Sequence, residues 1–128
     1  MEFHVAATKP VEEFLEAKAV GLLSRPVLLG PVSLTLLGKI RGADRGPAAI
    51  ATALVEVYAD VLKQLASAGA AWVQVDEPCL CLDLPPAVRE LFGRIYKRLA
   101  SSTPGIKVLI ATYFSDLRDT WNWPSACR

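Results

Sequence analysis

The stretch that most constrains the fold is residues 71–78, AWVQVDEP. Five mostly apolar residues followed by two carboxylates and a proline are typical of a strand buried in a parallel sheet that delivers acidic groups to one end. Because side chains alternate along a strand, Gln74 and Asp76 should point to one side and Glu77 to the other. The two acids are therefore not expected to form a paired acid/base site. Gln74 and Asp76 could line one pocket at the carboxyl end of the strand, where α/β folds place their ligands.

Two other segments have the pattern of strands, and helical segments separate all three. Val27–Leu29 is a short apolar run that predicts a strand buried on both faces, and residues 106–112, IKVLIAT, predict a third strand. Alternation of strands with helices predicts an α/β fold, with a parallel sheet and right-handed crossovers.

Apolar spacing and end signals predict four helices: from about Thr8 to Gly21, from Pro31 to Gly38, from about Ile50 to Gly69, and from about Pro86 to Leu99. The side chains expected on their buried stripes are Val11, Phe14, Leu15, Ile50, Leu54, Val57, Tyr58, Val61, Leu62, Leu65, Val88, Leu91, Phe92, Ile95 and Leu99. The backbone N–H groups at the start of the second helix are expected to point toward a ligand.

For the acidic pair, two interpretations stay open. Asp76 and Glu77 could bind substrate, or they could cap a neighbouring helix or pair with a loop arginine, and spacing does not decide between them. The basic loop after the second helix also has two interpretations. Lys39, Arg41 and Arg45 could bind a polyanionic tail, although an ordinary solvated loop is favoured.

The cysteines invite a zinc hypothesis, which the spacing disfavours. Cys79 and Cys81 are separated by one residue, and no second matched pair accompanies them. Cys127 and the single histidine, His4, lie far away in the sequence, and a cysteine nucleophile would need such a base. We therefore expect no metal site and no catalytic residue in this chain.

Composition excludes several classes of function. The 128 residues predict one domain, and 52% hydrophobic content allows a sizeable core. A net charge of +1 gives no general attraction to nucleic acid or to anionic lipid. Three cysteines cannot all pair, and the longest apolar run is too short for a bilayer, so we expect a cytoplasmic protein.

Three segments together resemble one family in order and spacing: residues 25–39 (RPVLLGPVSLTLLGK), 71–85 (AWVQVDEPCLCLDLP) and 111–114 (ATYF). The chain resembles, over about residues 10–117, the N-terminal barrel of the cobalamin-independent methionine synthases, which transfer a methyl group from 5-methyltetrahydrofolate polyglutamate to homocysteine. The resemblance implies a partial (β/α)₈ barrel. A closed barrel has eight strands and about 200–250 residues, whereas this chain supplies three strands.

The resemblance also implies two facing barrels that have different roles, with folate bound between them. Zinc and homocysteine belong to the C-terminal barrel, whose ligand set is missing here, as are the folate-contacting lysines upstream of the matched region. We therefore expect a folate-side fragment that is inactive alone and that could work with a separate zinc-bearing barrel. The alternative is a non-catalytic binding or structural module that reuses the fold.

The domain prediction is a partial barrel over 1–117 and a divergent tail over 118–128, for which truncation or a reading-frame change is the expected origin. A sheet cut from a barrel should expose apolar edges, so self-association is expected. The predicted substrate-binding residues are Lys39, Arg41, Gln74, Asp76 and Glu77.

Overall fold

The computed structural model describes residues 3–6, 8–39 and 46–117, and within them three strands alternate with helices. The elements in chain order are α1 (Lys9–Ala19), β1 (Val27–Leu29), α2 (Pro31–Leu37), α3 (Pro47–Ala68), β2 (Trp72–Asp76), a 3₁₀ turn (Pro78–Cys81), α4 (Pro86–Ser102) and β3 (Lys107–Ala111). The predicted α/β class is confirmed. Residues 118–128, where the divergent tail is predicted, lie outside the described residues, as does most of the basic loop.

The strands form one parallel sheet in the order β1-β2-β3. Gln74 of β2 pairs with Val27 on one side and with Leu109 on the other, and Asp76 pairs with Leu29 and Ala111. Paired residues of a parallel sheet point to the same face. The architecture is that of part of a (β/α)₈ barrel.

Proline and glycine set the helix bounds, as predicted for α1, α2 and α4, whereas α3 begins at Pro47 and not near Ile50. Every helix has a proline at its first or second position, where the missing N–H costs nothing. Gly69 ends α3 in the left-handed region at φ +98°, and the N–H of Ala70 donates to the carbonyl of Leu65 at 2.9 Å. This geometry satisfies the last carbonyls of α3 and turns the chain directly into β2.

The helices cover one face of the sheet and leave the other open. On the covered face, Val73 and Val75 are completely buried in the core. On the open face, Val27 and Leu29 are 56% and 43% exposed, so the prediction that β1 is buried on both faces is wrong. The pattern failed because an apolar strand of a barrel needs partners on both faces, and within the described residues only one face has them.

The predicted helix stripes were partly correct. Phe14 is buried in α1, whereas Leu15 is 45% exposed and was wrongly placed inside. In α3 the most buried positions include Ala51, Val55 and Ala59, which the predicted stripe omitted. Since α3 packs against α1, α2 and α4, small residues on that stripe allow the neighbouring helices to approach.

Along the described ranges, no helix combines the length and the apolar character needed to cross a membrane.

Candidate functional site

The site lies at the carboxyl end of β2. The hydrogen bonding between the strands continues there for one residue beyond β2. The N–H of Glu77 donates to the carbonyl of Ala111 at 2.8 Å, and the N–H of Gly30 donates to the carbonyl of Asp76 at 2.7 Å. These two bonds bring the start of α2 beside Glu77. The acidic pair is thus fixed at a point where three chain segments meet.

Glu77 caps α2 from outside the helix. Its Oε1 accepts the N–H of Val32 at 3.2 Å, and its Oε2 accepts the N–H of Ser33 at 2.7 Å. The first N–H groups of a helix have no partner within the helix and carry its positive dipole end, so a carboxylate there is stabilised twice. Of the two open interpretations, helix capping is the one the geometry supports for Glu77.

Two further donors complete the surroundings of this carboxylate, which is completely buried. The hydroxyl of Tyr96 donates to Oε1 at 2.7 Å, and the thiol of Cys79 lies 3.7 Å from Oε2. The N–H of Cys79 donates in turn to Oγ of Ser33 at 3.1 Å. A buried carboxylate is tolerated only with such donors, so α2, the 3₁₀ turn and α4 are held together around one side chain.

The donors around Glu77 stay protonated at neutral pH. Burial, followed by the charge of Glu77, raises the pKa of Tyr96. The same two causes raise to about 12 the pKa of Tyr58, whose hydroxyl donates to the carbonyl of Leu29 rather than to Glu77. Burial also raises the pKa of the Cys79 thiol to about 11, although the hydrogen bond with Ser33 opposes this. Cys79 is therefore a poor nucleophile in the folded chain.

Gly30 is required by the same arrangement. A Cβ atom at residue 30 would lie 2.1 Å from Cδ and 2.3 Å from Oε1 of Glu77. Only glycine lets the backbone between β1 and α2 approach the carboxylate this closely. The expectation that the N–H groups of α2 face a ligand is wrong, because these groups donate to the carboxylate of Glu77.

The open face carries a second polar arrangement, which we call the open-face row: Arg25, Gln74, Asp76 and Tyr113. Nη2 of Arg25 donates to Oε1 of Gln74 at 2.8 Å, and Nε2 of Gln74 donates to Oδ1 of Asp76 at 2.7 Å. The hydroxyl of Tyr113 donates to Oδ2 of Asp76 at 3.4 Å. The row runs from the amino end of the sheet to its carboxyl end.

The structure therefore brings Gln74 and Asp76 together, as strand alternation predicted, and separates Glu77 from them. Partial desolvation and the neighbouring Asp76 carboxylate raise the pKa of Tyr113, which stays a phenol donor at neutral pH. Asp76 offers an acceptor beside this donor. The pair can orient a ligand that has both kinds of group, but it contains no activated nucleophile.

Sequence reasoning missed Arg25 and Tyr113. Both lie two residues outside a strand, Arg25 before β1 and Tyr113 after β3. Their positions follow from the register, which a single sequence does not reveal. Lys39 is exposed just beyond α2, while Arg41 lies outside the described residues, so their part in the site remains a prediction.

A metal centre does not fit the described part of the chain. Within it, no three His, Cys, Asp or Glu residues are grouped so that they could hold a metal ion. Cys79 is buried against Glu77, and the thiol of Cys81 lies 3.0 Å from the carbonyl of Pro78.

Comparison with known proteins supports the family suggested by the sequence. The family model described as the N-terminal domain of cobalamin-independent synthase matches residues 1–127. The 5-methyltetrahydropteroyltriglutamate–homocysteine methyltransferase of Nitrobacter winogradskyi is 48% identical over 117 residues, which are 91% of this chain and 15% of that protein. The methyltransferase of the same name from Chelativorans sp. is 53% identical over 125 residues, or 97% of this chain and 16% of its own length.

The chain thus spans about 15% of the length of the curated relatives that it matches. The match includes β1, β2 and β3 and the acidic end of β2. By these comparisons and by its parallel α/β architecture, the chain belongs to the cobalamin-independent synthase family, as part of the N-terminal domain.

Proposed function

We propose that this chain is a folate-side part of a 5-methyltetrahydropteroyltriglutamate–homocysteine methyltransferase, and that the open-face row lines its ligand pocket. The observation that carries the proposal is the convergence of Gln74, Asp76 and Tyr113 on the uncovered face, at the carboxyl end of the sheet. Ligands of parallel α/β folds bind at this end. Glu77 instead stabilises the structure beside the pocket, because both of its oxygens accept hydrogen bonds from α2 or α4.

The chemistry of the row suits the ligand named in the relatives. A pteroyl group contains a heterocycle with N–H donors and a carbonyl acceptor, and Asp76 with Tyr113 offers the complementary acceptor and donor. The triglutamate tail is polyanionic, and Lys39 and Arg41 are the cations proposed to meet it.

The methyl transfer itself needs catalytic groups that the described residues do not provide. The resemblance implies zinc, and the described residues provide no donor set that fits it. We propose that a zinc-bearing barrel supplies this chemistry and that the present chain binds and orients the methyl donor. No covalent step is assigned to its residues.

Titration of the purified chain with 5-methyltetrahydropteroyltriglutamate by isothermal calorimetry tests this function. Binding is expected, and Asp76→Asn should weaken it at least about tenfold because a charged hydrogen-bond partner is lost. Lys39→Ala combined with Arg41→Ala should weaken binding of the triglutamate form more than that of the monoglutamate form.

Glu90→Gln on α4 is the matched control, since it also neutralises one carboxylate, here an exposed one that lies away from the row. It should leave the affinity unchanged. Absence of binding, or binding that Asp76→Asn does not affect, would overturn the proposed function and would favour a non-catalytic module that reuses the fold.

A further inference from the structure

The hydrogen bonds of the open-face row have one direction, which the chemistry of Arg25 and Asp76 fixes. A glutamine amide can be turned either way, because its oxygen accepts and its nitrogen donates. The guanidinium of Arg25 has donors and no acceptor, so the atom of Gln74 that lies 2.8 Å from Nη2 must be the oxygen. An ionised carboxylate only accepts, so the atom that lies 2.7 Å from Oδ1 of Asp76 must be the nitrogen. Both neighbours therefore require the same orientation of the amide.

The backbone holds Arg25 beside Gln74. The N–H of Gln74 donates to the carbonyl of Pro26, the residue after Arg25, at 2.8 Å, and Val27 is the partner of Gln74 in the sheet. Arg25 is exposed at the amino end of the sheet, whereas Gln74 and Asp76 are half-buried. The guanidinium thus acts on the carboxyl end of the sheet through the amide of Gln74.

The two carboxylate oxygens of Asp76 are left in different situations. Oδ1 accepts the amide of Gln74, and the positive charge of Arg25 polarises that amide and makes it a stronger donor. Oδ2 lies 3.4 Å from the hydroxyl of Tyr113, which is longer than the roughly 2.5–3.0 Å of an ordinary bond between a hydroxyl and an oxygen. Oδ2 is therefore the oxygen that can accept a donor from a ligand.

We propose that Arg25 is a positioning residue for the methyl donor and acts through Gln74. It fixes the direction of the amide, so that Gln74 holds Oδ1 of Asp76 and Oδ2 is presented to an N–H donor of the pteroyl group. The inference rests on the proposed function. It also assigns a specificity, because a ligand with an acceptor in place of that N–H would meet a carboxylate oxygen and be disfavoured.

The direction of the amide can be measured without a ligand, by ¹⁵N-edited nuclear Overhauser spectroscopy of the chain. The side-chain amide protons of Gln74 should show contacts with the Hβ protons of Asp76. Arg25→Lys should preserve these contacts, since lysine also only donates. Arg25→Glu should replace them by contacts with the new side chain, since glutamate only accepts. Unchanged contacts in Arg25→Glu would overturn the inference.

Isothermal calorimetry with 5-methyltetrahydropteroyltriglutamate tests the effect on binding. Arg25→Met should weaken binding about threefold to tenfold, which corresponds to the net contribution of one hydrogen bond, and Arg25→Lys should stay near the wild-type affinity. In a chain that already carries Gln74→Met, Arg25→Met should weaken binding no further, because its connection to Asp76 is already lost. Additive losses would show that Arg25 acts on the ligand directly and would overturn the positioning role.

Arg94→Met on α4 is the matched control, since it removes an exposed arginine that lies away from the row. It should leave the affinity unchanged, and circular dichroism establishes that each variant is folded. A wild-type chain that binds no ligand would overturn the proposed function, and the role of Arg25 in binding with it. A wild-type chain whose binding Arg25→Met does not weaken would overturn this inference alone.

Discussion

Replacement of Glu77 by alanine is expected to lower the free energy of unfolding by about 3–5 kcal/mol, measured by urea denaturation. The substitution leaves the N–H groups of Val32 and Ser33 and the hydroxyl of Tyr96 without their acceptor in the core. Each buried donor left unsatisfied costs about 1–3 kcal/mol. Alanine also leaves a cavity where the carboxylate was, which adds to the loss.

The neighbouring acid provides the control. Asp76→Ala removes a carboxylate from the half-buried open face, where water can replace it, so the expected loss is below about 1 kcal/mol. Equal losses for the two variants would contradict the division of roles between Asp76 and Glu77. A larger loss for Asp76→Ala than for Glu77→Ala would show that the roles of the two acids are reversed.

The second large effect is expected at Gly30. An alanine Cβ would lie 2.1 Å from Cδ of Glu77, and the carboxylate can move away only by releasing the N–H groups of α2. Gly30→Ala should therefore lower the free energy of unfolding by about 3 kcal/mol, as overpacking of a core does.

Gly93 is the matched control for the same chemical change. It lies within α4, and a Cβ there would meet no atom within 4 Å. Gly93→Ala should raise stability by about 0.5–1 kcal/mol, because alanine favours the helix. If both glycine variants changed stability in the same direction, the proposed role of Gly30 would be wrong.

The two effects should also be coupled. In a chain that already carries Glu77→Ala, the atom that opposes the new methyl group is gone, so Gly30→Ala should cost far less than it does alone. Additive losses would show that Gly30 and Glu77 act separately.

Strand alternation alone predicted which side of the sheet each acid would face. Gln74 and Asp76 share the open face, and Glu77 lies on the covered one, as the period of two requires. The parallel α/β order also followed from the alternation of strand and helix patterns. These properties are local, so one sequence carries them.

What the sequence did not reveal depends on contacts between distant segments. The capping of α2 by Glu77 needs the pairing of β1 with β2, which brings residues 45 positions apart together. The hydroxyl of Tyr96 arrives from α4, and Tyr113 meets Asp76 only because β3 pairs beside β2. The prediction that β1 is buried on both faces was wrong for a related reason, since the sequence of an apolar strand does not indicate which of its faces will be covered.

The most direct test of the central claim is the formation of methionine by the purified chain, assayed with 5-methyltetrahydropteroyltriglutamate, homocysteine and added zinc. The chain is expected to form one wall of the folate pocket but not to supply the zinc ligands. The amount of methionine formed should therefore not exceed that in a control reaction without protein. Methionine formed in proportion to the chain concentration, and lost in the Asp76→Asn variant, would contradict that claim.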